Sequence, residues 1–209
     1  KDYFYKDILF KKTLKKKKDT RILKEYKKIL KYKKMIKFVY QNKPLGTGDA
    51  VLKTKKFIKD DFFLMLLPDD LIIKNNCSSS LIDIHNRYKS SVMASMKVSK
   101  RNVSRWGIYD IKKKISNKNF IINSVVEKPS ILSAPSQSAV IGRYILPRSI
   151  FKKLINQKKG KGGEIHITDA IQSLILENNL FIGHNCSGKY LDCGTMNGYI
   201  KSSIEISKI

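Results

Sequence analysis

Apolar residues recur every three or four positions through the first 34 residues, among runs of lysine. Phe4, Ile8, Leu14, Ile22 and Leu30 follow this spacing, which is that of an amphipathic helix. The pattern predicts two short helices whose other face is basic and solvated. Lysine runs of this kind more often cover a helix surface than form a binding site.

Farther along, the spacing changes to short apolar runs that are typical of strands. Residues 36–40, 62–67 and 91–98 predict three strands, of which the second is buried on both faces. Between them, a glycine turn leads into a helix near Asp49, and serines at 78–80 begin another helix. This order predicts an α/β fold that is Rossmann-like and three-layered, with helices on both faces of a mostly parallel sheet.

The second half of the chain predicts an antiparallel hairpin inserted into this sheet. Residues 108–111 and 120–126 flank a polar turn, and a further strand is expected at 139–146. A helix beginning at Pro147, a helix at 168–176, strands at 181–186 and 190–191 and a helix from Thr195 follow. No internal repeat is visible, and we expect residues 1–209 to form one domain.

The charge of the chain is strongly positive but does not by itself indicate a nucleic-acid partner. The net charge is +26, yet only six of the 43 basic residues are arginine and 37 are lysine. Lysine, isoleucine and asparagine are all frequent here and have AT-rich codons, so genome bias explains much of the charge. Dedicated nucleic-acid surfaces usually use the arginine fork, and we therefore expect no specific nucleic-acid partner.

The cysteines and the hydropathy favour a cytoplasmic protein without a membrane partner. Cys77, Cys186 and Cys193 have no CxxC spacing and no paired histidines nearby, so they do not indicate a zinc site. An odd, sparse set of cysteines fits a reducing cytosol. No apolar run approaches the roughly 20 residues that a membrane-spanning helix needs.

Carboxylates follow directly after two predicted strands. Asp69 and Asp70 come after the apolar run at 62–67, and Asp192 ends the strand at 190–191. Hard oxygen ligands at strand ends suit a magnesium ion bound together with phosphates, and Asp69 and Asp192 could share one cation. The alternative for Asp69 is a turn in which its carboxylate caps a backbone amide, and the residues alone favour neither.

Two further motifs could bind a ligand at the same edge of the sheet. Gly46-Thr47-Gly48 lies at a strand-to-helix turn after Gln41, where the backbone could approach an anion and the amide could pair with a base. An ordinary connection is the commoner meaning of such a turn. In Glu127-Lys128-Pro129, the proline is expected to hold Lys128 extended, so that its ammonium could neutralise a phosphate. A simple ion pair at the strand end is the alternative.

Together these motifs resemble the bacterial UTP-glucose-1-phosphate uridylyltransferases, within the sugar-phosphate nucleotidyltransferases. The stretches VVEKP, GRYIL and EIxxTDAI are specific, whereas the glycine loop is not. The other matching stretches, LLPDDLI and YLDCGTMNGY, occur in the family's order and spacing. The resemblance covers residues 41–199 and implies a nucleotidyltransferase domain over residues 1–209.

The resemblance implies a role for each matching position. The nucleotide-binding positions are Gln41, Gly46 and Gly48, and the sugar-binding positions are Glu127, Gly142 and Glu164. Lys128 and Asp69 are the catalytic positions, and Asp69 and Asp192 are the ligands of Mg2+. The implied substrates are UTP and glucose 1-phosphate, and the implied assembly of the full-length enzyme is a homo-oligomer.

Some positions depart from the family pattern. Positions 46–50 read G-T-G-D-A where the family has G-L-G-H-A, His166 replaces a glutamine and Trp106 replaces a tyrosine. His166 is more often a packed histidine than a catalytic base. The family's first strand and its G-x-G-T-R loop, which wraps the triphosphate, have no counterpart in these 209 residues. We therefore expect the chain to be the C-terminal portion of an enzyme.

Alternative functions remain open at this point. A sibling enzyme would use dTTP, CTP or GTP, or another sugar 1-phosphate. A basic nucleic-acid-binding protein would bind with a steep salt dependence, but the tyrosines are scattered and form no stacking platform. A non-catalytic remnant of a split gene is the third alternative.

The 209-residue chain assayed alone is expected to form little or no UDP-glucose. Loss of a single charge-stabilising donor typically lowers a rate about a hundredfold to a thousandfold, and loss of the whole loop should lower it more. A radiolabelled UTP assay measures this directly. Near-normal formation of UDP-glucose would show the expectation to be wrong.

Overall fold

The structure is a computed structural model that describes Thr13 and residues 20–209, except for the side chains of Glu25 and Lys161. It divides into two compact units, which meet in sequence between Asn42 and Lys43. The two units are described separately below. Of the two helices predicted at the start of the chain, the first lies outside the described residues.

The N-terminal unit contains helix α1, Thr20–Lys33, which confirms the helical spacing seen there. Ile22 and Ile29 are exposed, whereas Leu23 and Leu30 are half-buried. The strand predicted at residues 36–40 is wrong, because the structure assigns no strand to that segment. An apolar run becomes a strand only where a neighbour completes its ladder, and the sequence pattern does not supply that neighbour.

The C-terminal unit, from Lys43 onwards, contains eight strands and five further helices among the described residues. In chain order they are α2 Thr47–Lys53, β1 Phe62–Leu66, β2 Asp70–Ile73, α3 Cys77–Tyr88, β3 Ser91–Lys97, β4 Gly107–Lys114, β5 Asn119–Glu127, β6 Ser138–Pro147, α4 Ile150–Asn156, α5 Ile167–Leu176, β7 Phe181–Asn185, β8 Lys189–Asp192 and α6 Met196–Ile206. Short 3-10 turns lie at Lys100–Arg105 and Lys161–Gly163.

Six of the strands form one sheet in the order β1-β6-β3-β7-β5-β4. The α/β class is confirmed, but the prediction of a mostly parallel sheet is wrong. β6 is inserted between β1 and β3 and is antiparallel to both. Among the described strands only β3 and β7 are parallel neighbours. β1, β3 and β7 nevertheless run in the same direction, so their carboxyl ends share one edge.

Helices cover both faces of the sheet, as the sequence predicts. Successive residues of a strand point to opposite faces, so Phe63 packs in one core cluster and Phe62 in the other. The first cluster includes Leu154 of α4 and Ile171 of α5, and the second includes Leu81 of α3. The three-layer arrangement is therefore the physical result of strands that are apolar on both sides.

The predicted hairpin is present as β4 and β5. These strands pair from Gly107 with Glu127 to Lys114 with Phe120, and β5 also pairs with β7. The hairpin therefore joins the sheet by the first residues of β5, while Glu127 lies at the far end of the same strand. β2 and β8 form a separate two-stranded antiparallel sheet.

Two cysteines form a bond that their spacing did not predict. Cys77, at the start of α3, and Cys186, just after β7, form a disulfide, and their α-carbons are 5.7 Å apart. Cys193 is free. The partners are 109 positions apart in sequence, so only the folding of the sheet brings them together. In the described part of the chain, no helix has the length and apolar content that a membrane span needs.

Candidate functional site

The two carboxylates predicted to share a cation lie close together. Asp69 is in the turn after β1, and Asp192 ends β8. The amide of Cys193 donates to the carbonyl oxygen of Asp69 at 2.7 Å, which ties the two strand ends to each other. A β-carbon placed on Gly194 would lie 2.8 Å from Oδ2 of Asp69 and 3.4 Å from Oδ1 of Asp192. Both side chains therefore border the same small space.

Asp70 has a structural role that leaves Asp69 available. Oδ2 of Asp70 accepts a hydrogen bond of 2.6 Å from the amide of Gly142, and Oδ1 accepts one from the hydroxyl of Tyr190. Burial raises the pKa of the Asp70 carboxyl above its usual value, against the opposing effect of these two hydrogen bonds. Asp69 is exposed, because adjacent residues at the start of a strand point in opposite directions.

Asp69 and Asp192 form a pair of acidic side chains and do not belong to a larger acidic cluster within the described residues. These residues contain no cluster of three or more His, Cys, Asp or Glu side chains placed to hold a metal. Two carboxylates are nevertheless a common protein contribution to magnesium, which completes its shell with water and phosphate oxygens. Nη2 of Arg105 lies 3.7 Å from Asp192, and the guanidinium stacks over Trp106 at 4.6 Å.

Glu127 and Lys128 lie at the end of β5, where the chain leaves the sheet. Nζ of Lys128 is 4.0 Å from Oε1 of Glu127, and both side chains are more than half exposed. A β-carbon on Gly107 would lie 3.1 Å from Oε2 of Glu127, so the facing strand leaves room for that carboxylate. The amide of Lys128 donates to the carbonyl oxygen of Trp106 at 3.1 Å.

The backbone of Lys128 differs from the prediction. Pro129 predicts an extended backbone at Lys128, but the φ of Lys128 is 46°, in the left-handed region. That region is uncommon for a residue with a side chain, and strained backbones of this kind occur preferentially at functional sites. The hydrogen bond to Trp106 closes the end of the hairpin and holds the turn, which the sequence could not reveal.

Tyr144 is a buried residue whose phenol is affected by the carboxylates after β1 and at the end of β5. The sequence alone did not single it out. It lies on β6, is 5% exposed and pairs with Met65 of β1 and Met93 of β3. Burial, and then the negative charges of Asp70, Glu127 and Asp69, raise the pKa of the Tyr144 phenol well above its usual value. The GRYIL motif contained the signal, but only its glycine was used.

The predicted glycine loop packs against the predicted EIHIT segment. The amide of Gly48 donates to the carbonyl oxygen of Ile165, and the amide of Ile165 donates to that of Leu45, both at 2.8 Å. Gly46 has a φ of 96°, and a β-carbon there would lie 2.7 Å from the carbonyl oxygen of Ile165. Packing alone therefore requires glycine at position 46, and its nucleotide-binding role stays a prediction. Glu164 is exposed beside Gly46.

For three other residues singled out from the sequence, the structure gives the surroundings but does not test the role. Gln41 belongs to the N-terminal unit and is exposed there. Gly142 donates its amide to Asp70, and its carbonyl oxygen accepts from Leu67, so a role in sugar binding stays a prediction. The carbonyl oxygen of His166 accepts from Nε2 of Gln157 at 2.9 Å, just before α5, and the residue is half-buried, so the role of its imidazole stays a prediction.

The chain is similar in sequence to known nucleotidyl transferases. The sequence profile described as nucleotidyl transferase matches residues 7–208. A UTP–glucose-1-phosphate uridylyltransferase of Streptococcus pyogenes serotype M1 is 35% identical over 173 residues, which are 80% of this chain and 58% of that protein. The chain thus spans less than two thirds of the length of this relative.

Solved structures give the same picture of the fold. A UDP-glucose pyrophosphorylase complexed with UDP-glucose superposes with a TM-score of 0.78 and 32% identity, covering 88% of this chain and 73% of that chain. A UTP-bound enzyme of the same kind from Acinetobacter baumannii gives a TM-score of 0.82 and 29% identity, covering 98% of this chain and 71% of that chain.

The burial of Asp70 predicts how replacement by asparagine changes the pH dependence of stability. A carboxyl whose folded pKa is raised binds more protons in the folded state than in the unfolded state. The wild-type chain therefore loses stability as the pH rises from about 3.8, the usual value, through the raised value. Asparagine does not titrate, and its side-chain oxygen can still accept a hydrogen bond from the amide of Gly142. The melting temperature of Asp70→Asn, relative to that of the wild type, should therefore rise between pH 4 and pH 7.

The measurement is a melting curve for both proteins at each pH, followed by circular dichroism. Asp83→Asn is the matched control, because Asp83 is an exposed carboxylate on α3. A difference between Asp70→Asn and wild type that stays constant over this range, or that shrinks, would contradict the burial argument.

Proposed function

Because the chain belongs to the nucleotidyl transferase family, we propose that it carries the site for transfer of a uridylyl group from UTP to glucose 1-phosphate, giving UDP-glucose and pyrophosphate. The observation that carries this proposal is the meeting of Asp69 and Asp192 beside Gly194. The relative named as a uridylyltransferase, and the structures described with UTP and with UDP-glucose, support the choice of substrates.

Asp69 and Asp192 are the residues that would hold a magnesium ion. Their oxygens are hard ligands and border one space, and Asp69 is exposed to incoming phosphates. A bound magnesium ion would neutralise phosphate charge and orient the triphosphate. Nη2 of Arg105 lies 3.7 Å from Oδ2 of Asp192, so a cation shared with Asp69 would lie beside this ion pair.

Lys128 and Glu127 would bind the second substrate at the end of β5. The ammonium of Lys128 pairs with the phosphate of glucose 1-phosphate, and the Glu127 carboxylate accepts hydrogen bonds from sugar hydroxyls. Their separation of 4.0 Å lets each attract the other without a tight ion pair, so the substrate does not have to break one. Glu164 and Gly142 complete the proposed sugar site.

The reaction needs no nucleophile from the protein. A phosphate oxygen of glucose 1-phosphate forms a bond to the α-phosphorus of UTP, and the bond from that phosphorus to the bridging oxygen of the β-phosphate breaks. Pyrophosphate leaves in line with the attack. Positioning by Lys128 and the acidic pair therefore carries the catalysis, as is usual for transfers at phosphorus.

The remaining assignments belong to the same proposal. Gly46 and Gly48 would contact the uracil nucleotide, whose recognition separates a uridylyltransferase from its siblings. The nucleotide-binding role of Gln41, in the N-terminal unit, rests on the resemblance alone. The glycine loop approaches Ile165 closely, which fixes the path of its backbone toward a ligand. A cytoplasmic location and a homo-oligomeric assembly of the full-length enzyme also follow the expectation from sequence.

Asp69→Asn is expected to abolish most turnover while leaving the fold intact. Asparagine keeps the shape of the side chain but removes a charge that the cation requires, so we expect a rate at least about a hundredfold lower. Pyrophosphate release is measured in a chain extended at its N-terminus by the G-x-G-T-R segment of the family. Asp83→Asn, which removes an exposed carboxylate from α3, is the control. Unchanged turnover in Asp69→Asn would rule out the assignment.

The same extended chain is expected to prefer UTP. Comparing magnesium-dependent pyrophosphate release with UTP, dTTP, CTP and GTP, each with glucose 1-phosphate, gives the ratio of kcat/KM values that defines specificity. A higher kcat/KM with another nucleotide would replace the uridylyl assignment by that of a sibling enzyme. Release that does not depend on glucose 1-phosphate would contradict the transfer reaction itself.

A further inference from the structure

A second cavity lies at the carboxyl ends of β3 and β7, the parallel neighbours of the described sheet. Its volume is about 650 Å³, and Lys97 and Asn185 mark where the two strands end. The β4–β5 hairpin and the chain before β6 form the other walls. In open α/β sheets, ligands bind beyond the carboxyl ends of parallel strands, so this is a favourable position for a site.

The walls of this cavity are basic. Lys97, Lys100 and Lys114 contribute to the lining, and none of the lining residues that the structure describes is acidic. Ammonium groups that surround a concave space without carboxylates create a positive potential, which attracts an anion. Three lysines around one space suit a phosphate group, whose charge they can neutralise from different sides.

Two buried polar atoms near the ends of β3 and β7 have no hydrogen-bond partner among the described residues. One is Oδ1 of Asn185, a residue that contributes to the lining of the cavity. Oγ of Ser95 is also buried without a partner, and Ser95 pairs with Asn185 in the β3–β7 ladder. Buried polar atoms are nearly always satisfied, so an unsatisfied amide oxygen beside an open cavity indicates a missing hydrogen-bond donor.

This cavity is separate from the site proposed above. Lys114 and Asn119 lie at the turn of the β4–β5 hairpin, whereas Glu127 lies at the other end of β5. β5 is nine residues long, which places its two ends roughly 25 Å apart at the usual rise per residue. The cavity wall at Val103 lies nearer to Lys128, because the amide of Trp106 donates to the carbonyl oxygen of Val103 and the amide of Lys128 donates to that of Trp106. Among the described residues, those that line the cavity include none of the positions assigned to nucleotide, sugar or metal.

We propose that this cavity is a second ligand site, which binds a phosphorylated sugar compound. The phosphate pairs with Lys97, Lys100 and Lys114, and a hydroxyl of the ligand donates to Oδ1 of Asn185. Ile111 and Ile131, which are partly exposed, add apolar surface for the carbon skeleton. The volume lies within the range of small-molecule sites, so a ligand of this class fits. The proposal goes beyond the transfer reaction and does not depend on it.

The abundance of lysine in this chain requires a control matched for charge. Binding of ribose 5-phosphate to the 209-residue chain is measured by isothermal titration calorimetry at 150 mM salt, which screens interactions with distant charges. The double variant Lys97→Ala/Lys114→Ala should bind at least about tenfold more weakly than wild type, because it loses two charge-assisted contacts. Lys112→Ala/Lys152→Ala loses the same charge from exposed positions outside the cavity and should bind as wild type does.

A second pair of measurements tests the role of the amide. Asn185→Ala should weaken binding of ribose 5-phosphate but leave binding of inorganic phosphate unchanged, because only the sugar provides the hydroxyl donor. Melting curves for each variant confirm that it is folded. Lys128→Ala removes the ammonium proposed to bind the phosphate of glucose 1-phosphate. It should bind ribose 5-phosphate as wild type does, which separates this site from the proposed transferase site.

Three outcomes would overturn the proposal. These are an absence of binding by the folded wild-type chain, an equal loss of affinity in both double-lysine variants, and equal effects of Asn185→Ala on ribose 5-phosphate and inorganic phosphate. The second outcome would indicate attraction by net charge alone. The third would indicate a phosphate site without recognition of the sugar.

Discussion

The hydrogen-bonded, half-buried carboxylate of Asp70 makes the interaction on which the candidate site depends. It begins β2, accepts a hydrogen bond from the amide of Gly142 on β6, and accepts another from the hydroxyl of Tyr190 on β8. One side chain thus links the small two-stranded sheet to the large one. Because Asp70 is turned inward, its neighbour Asp69 is turned outward. The inward orientation of Asp70 therefore positions Asp69, the carboxylate that can meet a cation.

The position of β6 determines where chemistry can occur along the sheet. β6 is antiparallel to both β1 and β3, so the carboxyl ends of β1, β3 and β7 share one edge although β1 and β3 are not neighbours. The acidic pair lies beyond β1, and the basic cavity lies beyond β3 and β7. A strand inserted between two parallel ones thus separates two concave regions of opposite charge on the same edge.

The parts of this fold that the sequence predicts are those controlled by local patterns. A continuous apolar run predicted β1, although that strand is only half-buried in the structure, and a short apolar run predicted β3. Helical spacing predicted α1, and residues typical of a helix start predicted α5. Contacts between residues that are far apart in sequence produce no such local pattern. The place of β6 in the sheet, the bond between Cys77 and Cys186, and the division of work between Asp69 and Asp70 all depend on residues far apart in sequence. The segment at 36–40 has a strand pattern without becoming a strand, for the same reason.

The number of lysines does not indicate where the chain attracts an anion, whereas the positions of their acidic partners in the structure do. The composition gives the number of lysines, 37, but not where acidic partners are placed among them. Lys153 pairs with Glu177, and Lys189 and Lys208 both pair with Glu205. Surface pairs of this kind contribute little to stability, yet they lower the local positive potential. Around the cavity beyond β3 and β7 no lining residue that the structure describes is acidic, so its positive potential is retained. The distribution of the few carboxylates, more than the number of lysines, therefore determines where this chain can attract an anion.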